Sequence, residues 1–545
     1  MTQPTSRRGF LQFLTATGAT TLLAACGQIA VEAPRQSTPP TSGSSVAVPI
    51  GAPTPASVAA AAAADTAQIK RGGTLRWSML GNPLNLNPHN YGLATNVMHV
   101  WDRLILMDEN LNWMPRLAQS WDVNNDYTQI KLNMRQGVQF HNGKEFTAAD
   151  VAWNVERVRD ISVGGVFTAY VANIDKVETP DKYTAIVHCP QPYPYISHIL
   201  QTLNMADSAS MGADGLTHPI GTGPFKFVEY AQGDHITLTK NPDYWRKDLP
   251  HVDDMDIKIF GDPQAMQAQL EGGALDLAIN PTLQDTSRLS DDPRYSVLVD
   301  RNAGSTYCLV FNTAVPPGDN KAFRQALRYA VDRQRIASSV LLGFGSPADL
   351  PWYATSPAYD QSKDQLYQFD LDMARSLLQQ AGLSDVETDL NYSSVDSEAA
   401  RMGQIIQADL EKIGVKVGLK PTDPPTLLAA ETARPVPTYR GMVVYAQPFG
   451  HVQPGVMIAA PSFGPIFNIA GYHSDAWTAE SSAFASETDP AKQKQTYATY
   501  NDDLLDLSLS VFIAKNFPRA LTPANVRGVI WNMAIILDGT EAWIS

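Results

Sequence analysis

The run from Ser397 to Leu419 changes period in mid-course. Met402, Ile405, Ile406, Leu410 and Ile413 recur at helical spacing, and Val415, Val417 and Leu419 then alternate. Steps of three and four residues line up one stripe of a helix, and steps of two line up one face of a strand. Gly414 stands between them, where a residue free to take a positive φ ends a helix. A helix that turns straight into a half-buried strand lays its stripe on the sheet that strand joins, so the pattern predicts α/β layers. The same grammar recurs upstream. Phe323, Ala326, Leu327, Ala330 and Val331 share a helical face, with Asp319 or Asn320 as the cap. Ala374, Leu377, Leu378 and Ala381 share another, and Gly382 follows in the C′ position.

The first half of the chain is strand-like. Ile130, Leu132 and Met134 fall on one face and Gln129, Lys131 and Asn133 on the other. Val138 and Phe140 continue the alternation beyond Gly137, Asn142-Gly143 is a tight-turn signal, and Thr147 with Asp150 spells a capping box ahead of Val151, Val155 and Val158. This stretch holds His141, Lys144, Glu145 and Asp150 within ten positions, the residue types of acid–base catalysis. Their spacing assigns them to structure. Asp150 meets the free N–H groups and positive end of a helix, and Lys144 and Glu145 flank the turn as solvated charges. No nucleophile elbow, zinc helix or phosphate-cradling loop occurs anywhere, so the chain reads as a non-enzyme.

At 545 residues the chain has room for about three domains. Hydrophobic residues make up 44%, charged residues 18%, and the net charge is −14. An acidic chain without a Lys/Arg run is a poor partner for nucleic acid. Cys26, Cys189 and Cys308 are the three cysteines, with no C-x-x-C pair, which argues against a zinc site or disulfide scaffold. Cys189 and Cys308 either pair or stand as buried thiols. His188, His198 and His218 keep no ligand spacing, and neither a metal nor a cofactor is expected.

The start is an address. Arg7-Arg8 precede an apolar run, Phe10 to Ala25, too short and too rich in Thr and Gly to span a bilayer. Residues 1–25 read as a secretory signal in which Ser6–Leu11 resembles a twin-arginine motif. Leu23-Ala24-Ala25-Cys26 resembles a lipobox, which implies cleavage before Cys26 and acylation of that cysteine. Residues 26–70, rich in Pro, Ala, Ser and Thr, read as a disordered tether. The expected product is a globular body in the cell envelope, lipid-anchored to the outer face of the cytoplasmic membrane on its periplasmic or extracellular side.

Four ordered blocks carry a resemblance. They are "MRQGVQFHNGKEFTAADV", with Asn142 where Asp is usual, "PIGTGPFKFVEYAQGDHITLTKNPDYW", "AFRQALRYAVDRQRIASSVLLGFGSPA" and "FDLDMARSLLQQAGL". With them, the chain from about Gly72 onward resembles the extracytoplasmic solute-binding proteins of family 5, which serve peptide/nickel ABC importers. The resemblance implies a type II, two-lobe α/β binding-protein fold with an extra α+β domain inserted near the N-terminus. Lobe I would use 71–104, 219–309 and 511–545, the inserted domain 105–218, and lobe II 310–510. It implies capture of an oligopeptide-like or related polar solute between closing lobes. Delivery would go to a membrane permease with its ATPase, by a monomer. The alternatives are a non-peptide ligand (oligosaccharide, opine-like conjugate or metal chelate) and a sensor for a membrane signalling protein.

By family position the cleft would be lined by His89, Asn90 and Tyr91, by Trp352 and Asn468, and by Phe167. The lobe II strand that clamps a peptide's ammonium in relatives corresponds to Thr438–Gly455, which contains no Asp or Glu. Arg440 could instead meet a carboxylate. Tyr445, Gln447, Phe449 and His451 alternate to one side, as a wet stacking pocket or as core packing.

Overall fold

The computed structural model describes residues 69–545, apart from 84–85, 90–94, 109–111, 161–162, 164–167, 169–170, 212–217, 449–453, 456–467 and 533–535. Strand β1 (Thr74–Leu80) buries Leu75, Trp77 and Met79. The chain then leaves for an insert of β2 (Ala118–Val123), β3 (Gln129–Met134), helix α1 (Ala148–Arg157), β4 (Lys176–Asp181) and β5 (Thr184–His188). Its antiparallel sheet has the order β2-β3-β5-β4. Ile130, Leu132 and Met134 point inward from β3 and pack in one core with Val151 and Val155 of α1.

Between β3 and α1 lies the stretch that resembles catalytic equipment. Thr147 N–H donates to Asp150 Oδ2 at 2.9 Å, so the expected capping contact forms. Gly143 takes a φ of +85° in the Asn-Gly turn. Lys144 and Glu145 keep contact with solvent, as expected, but each is also paired. Lys144 Nζ bridges Asp150 (2.6 Å) and Asp207 (2.8 Å), while Glu145 accepts from Lys182 and Tyr183. The difference arises because the 207–208 turn and the hairpin at 182–183 both pack against this corner, supplying partners that local sequence does not show.

The chain returns with β6 (Phe225–Ala231), β7 (His235–Lys240) and β8 (Asp254–Phe260), which complete a sheet of order β1-β8-β7-β6. Strand β8 runs parallel to β1, with Trp77 beside Ile257. Helix α2 (Pro263–Glu271), β9 (Ala278–Ile279), α3 (Leu283–Leu289) and β10 (Tyr295–Val299) finish this lobe's first pass.

Strand β11 (Ser305–Phe311) begins the second lobe, followed by α4 (Lys321–Ala330), β12 (Gly345–Pro347), α5 (Leu371–Gln380), β13 (Val386–Ser393), α6 (Ser397–Glu411), β14 (Val415–Thr422), β15 (Met442–Gln447), α7 (Asp475–Ser486), α8 (Pro490–Leu507) and β16 (Ser510–Asn516). The six-stranded sheet has the order β12-β16-β11-β15-β13-β14. Helices α4, α5 and α6 cover one face, and α7 and α8 the other. Asn320 caps α4 through Ala322 and Phe323 N–H; the helix stops at Val331 because Asp332 caps the next one. Gly382 and Gly414 take positive φ after α5 and α6, as expected. Strand β17 (Arg519–Pro523) returns to the first lobe between β9 and β10. Because β11 pairs with β16 along their lengths, the chain crosses between lobes at 300–304 and 517–518, not at 309/310 and 510/511.

Cys189 and Cys308 are buried free thiols in separate cores. Among the described residues no helix is long and apolar enough to cross a membrane.

Candidate functional site

The two crossings lie side by side. Asp300 N–H donates to Pro518 O at 3.1 Å, and the Tyr353 hydroxyl sits 2.8 Å from Ser305 O and 3.0 Å from Asn516 O. Gly304 has a φ of +141°, and a Cβ there would lie 2.3 Å from Asn516 O. Only glycine lets the strands approach this closely.

Beside the crossings opens a cavity of about 410 Å3. The first lobe contributes Leu80 at the end of β1 and Asn280, Pro281 and Thr282 between β9 and α3. The second contributes Val395, Ser397 and Glu398 at the start of α6. The crossings themselves add Gly304, Ser305, Asn516 and Arg519. Strands β13, β14 and β15 are parallel, so their carboxyl ends share this edge of the sheet, where open α/β sheets place ligands.

The walls are polar and locally braced. Asp396 caps α6 through Ala399 N–H at 2.8 Å and accepts from Tyr307 Oη at 3.2 Å. Burial raises the Asp396 pKa against those hydrogen bonds. Thr282 Oγ1 accepts from Asp285 N–H at 3.1 Å, capping α3. Arg519 is buried, donates through Nε to Pro281 O at 3.1 Å, and thereby links β17 to the α3 turn. Burial lowers its pKa, while the Glu398 carboxylate opposes that shift. A cation and a carboxylate thus face one polar space of the volume expected for a small-molecule site.

The residues expected at the site scatter. His89 is buried in a joint between the first lobe and the insert. Its Nε2 donates to Asn154 Oδ1 at 2.8 Å and its Nδ1 accepts from Arg157 at 2.7 Å. Trp352 is a core residue, stacked near Phe484 with Nε1 donating to Asn501 Oδ1 at 2.7 Å. Asn468 is buried and shapes a turn by bonding Tyr472 through both N–H and O. Arg440 is exposed, 3.4 Å from Glu387 O. Tyr445 and Gln447 share a face of β15, opposite Cys308 and Thr306. That face carries the α8 core, away from the cavity's side. Asn90, Tyr91, Phe167, Phe449, His451 and Cys26 lie outside the described residues.

Ser397, Glu398, Asn280, Thr282 and Arg519 were not anticipated. They come from three segments, each more than 110 residues from the next, and share no local period. The available signals were Asp396 and Thr282, cap residues that mark helix starts following strands.

Among the described residues, Tyr195 ties the insert to the second lobe. Its hydroxyl donates to Phe484 O at 3.1 Å and meets Tyr497 Oη at 3.2 Å, and its ring lies against Gly455, where a Cβ would clash.

A family model described as bacterial extracellular solute-binding proteins, family 5 Middle, matches residues 112–448. Heme-binding protein A of Haemophilus influenzae is 32% identical over 337 residues, 55% of this chain and 60% of that protein. Glutathione-binding protein GsiB of Salmonella paratyphi A is 27% identical over 435 residues, 78% of this chain and 80% of that one. Among solved structures, the binding protein AgaA of A. tumefaciens R10 in complex with agropinic acid superposes with a TM-score of 0.76 at 24% identity, covering 87% of this chain and 99% of that one. The fold is therefore the two-lobe, type II binding-protein fold with an inserted domain.

Proposed function

Because the chain belongs to the bacterial extracellular solute-binding proteins of family 5, we propose that it is the ligand-binding subunit of an ABC importer. It captures a polar, oligopeptide-like solute between its lobes and delivers it to a membrane permease. The observation that carries this reading is the polar cavity bounded by both lobes and both crossings. A ligand that touches both lobes only when they are closed favours that state by its differential affinity. Residues 1–25 act as the export signal, acylated Cys26 as the anchor, and 26–70 as the tether that lets a monomeric body reach its permease.

Within the cavity, Glu398 takes the ammonium of a zwitterionic ligand and Arg519 its carboxylate. This supplies the acid that Thr438–Gly455 lacks. Native mass spectrometry of protein from its own host identifies the co-purified solute, and calorimetry then measures its binding. Glu398→Gln and Arg519→Gln should each weaken binding at least about tenfold, the loss of one charge-assisted hydrogen bond. Small-angle scattering should show compaction on addition. A tight solute that ignores both substitutions and leaves the radius of gyration unchanged would overturn this reading.

A further inference from the structure

A second cavity, of about 60 Å3, lies in the first lobe where Asn532, Leu537, Asp538 and Thr540 meet residues 98–106. It shares no lining residue with the interlobe cleft. The guanidinium-bearing residues Arg103, Arg116 and Arg246 line it. Two carboxylates line it as well, but both are engaged. Asp102 accepts from Trp245 Nε1 (2.8 Å), Tyr244 Oη (3.0 Å) and Thr222 Oγ1 (3.1 Å). Asp538 accepts from Thr540 N–H at 2.8 Å. Arg246 is paired with Glu541 at 2.6 Å, which lies outside the lining. Arg116 donates to the adjacent Pro115 O at 3.2 Å and forms no ion pair among the described residues.

With Glu541 counted, three carboxylates balance the three guanidinium groups, and neutral donors are what remain without acceptors. Gly539 N–H donates to His99 Nε2 at 3.0 Å, so in the neutral ring the proton sits on Nδ1. Burial keeps that ring neutral by lowering its pKa, the Asp538 carboxylate opposing the shift and Arg103 adding to it. Neither His99 Nδ1 nor Trp101 Nε1 has a hydrogen-bond partner among the described residues, though both atoms are buried. Buried donors without acceptors are rare enough to call for a missing group. The volume is about four to six times the ~10–15 Å3 that one water requires, room for a four-oxygen ion but not for a peptide.

We propose that this cavity binds one small oxyanion of the sulfate or phosphate type, held by Arg103, Arg116 and Arg246. Guanidinium forks match the paired oxygens of such an ion. The ion fastens residues 537–540 to Arg103 and Arg116 and is a fixture of the lobe, distinct from the transported solute.

The test uses the full chain purified without sulfate or phosphate. Crystals soaked in selenate should show an anomalous peak within hydrogen-bond distance of Arg116. Equilibrium dialysis with labelled sulfate and labelled phosphate should show saturable binding at a single site per chain, and the tighter of the two names the ion. Arg116→Gln should weaken that binding at least about tenfold, whereas Arg519→Gln in the cleft should leave it unchanged. Sulfate stabilises proteins generally by exclusion from their surface. The Tm rise in sulfate over chloride at matched ionic strength should therefore be larger in the wild type than in Arg116→Gln. If Arg116→Gln does not fold, Arg116→Lys keeps the charge, loses the fork and should weaken binding severalfold. A cavity that holds only water gives no selenate peak and no saturable binding, which overturns the proposal. Binding that survives both Arg116 variants unaltered overturns it equally.

Discussion

The imidazole of His141 is gripped from both sides, with Nε2 donating to Gly223 O at 3.0 Å and Nδ1 accepting from Gly221 N–H at 3.4 Å. Burial pulls its pKa down to about 4, and burial with the Arg157 charge does the same for His89, also to about 4. In the unfolded chain both titrate near ~6.5. The unfolded state therefore binds more protons between these values, and stability falls as pH falls. The contribution is fully present above about pH 6.5 and lost progressively toward pH 4, at most about 3 kcal/mol for each ring. Denaturant unfolding of wild type and His141→Gln at pH 7.5, 6 and 4.5 checks this. The variant should be less stable at pH 7.5, yet lose about 1 kcal/mol less per pH unit between pH 6 and 4.5. Parallel pH profiles would refute the assignment. The same corner shows why residue types mislead. The chemistry-like cluster of His141, Lys144, Glu145 and Asp150 is spent on joining a strand, a turn and a capped helix.

At the scale of elements, the crossings are the most demanding part of the backbone. Gly304 brings the 300–304 segment against Asn516 O, Tyr353 Oη and Pro518 Cδ, at 2.3, 2.5 and 3.0 Å from where a Cβ would stand. Gly304→Ala meets backbone on one side and a strained φ on the other, and should destabilise the protein by about 1–3 kcal/mol. It should also slow lobe closure, because the added methyl group wedges the segments that must bend. Thermal unfolding and stopped-flow closure kinetics measure the two effects, and an unchanged Tm would show that the crossing relaxes freely. The elements themselves were legible where burial follows a period. Ile130, Leu132 and Met134 in β3, the caps at Asn320 and Thr147, and the stops at Gly382 and Gly414 all sit where spacing puts them. The cavity was not legible, because Asn280, Glu398 and Arg519 meet only through tertiary crossings. Trp352 misled for a related reason: a tryptophan in a Pro-rich loop suits a cleft as well as a core, and only Phe484 and Asn501 decide between them.

For the whole molecule, the question is what holds the lobes together besides ligand. Tyr195 reaches from the insert to Phe484 O and Tyr497 Oη in the second lobe, and burial raises its pKa well above the usual phenol value, so the hydroxyl stays a donor. A buried neutral hydrogen bond is worth about 0.5–1.5 kcal/mol net. That is enough to shift an open–closed equilibrium roughly two- to tenfold. It is also small enough for a ligand's own contacts to dominate. Tyr195→Phe keeps the ring against Gly455 and removes only the hydroxyl, so folding stability should change little while the closed-to-open ratio drops by that factor. Both described cysteines are buried, so dyes go selectively to exposed sites introduced by Thr179→Cys in the insert and Lys494→Cys in the second lobe. Single-molecule energy transfer between them should show the high-efficiency population shrinking in Tyr195→Phe. Equal populations in the two proteins would mean that the hydroxyl is as well satisfied by water in the open state, and that closure is governed at the cleft and the crossings alone.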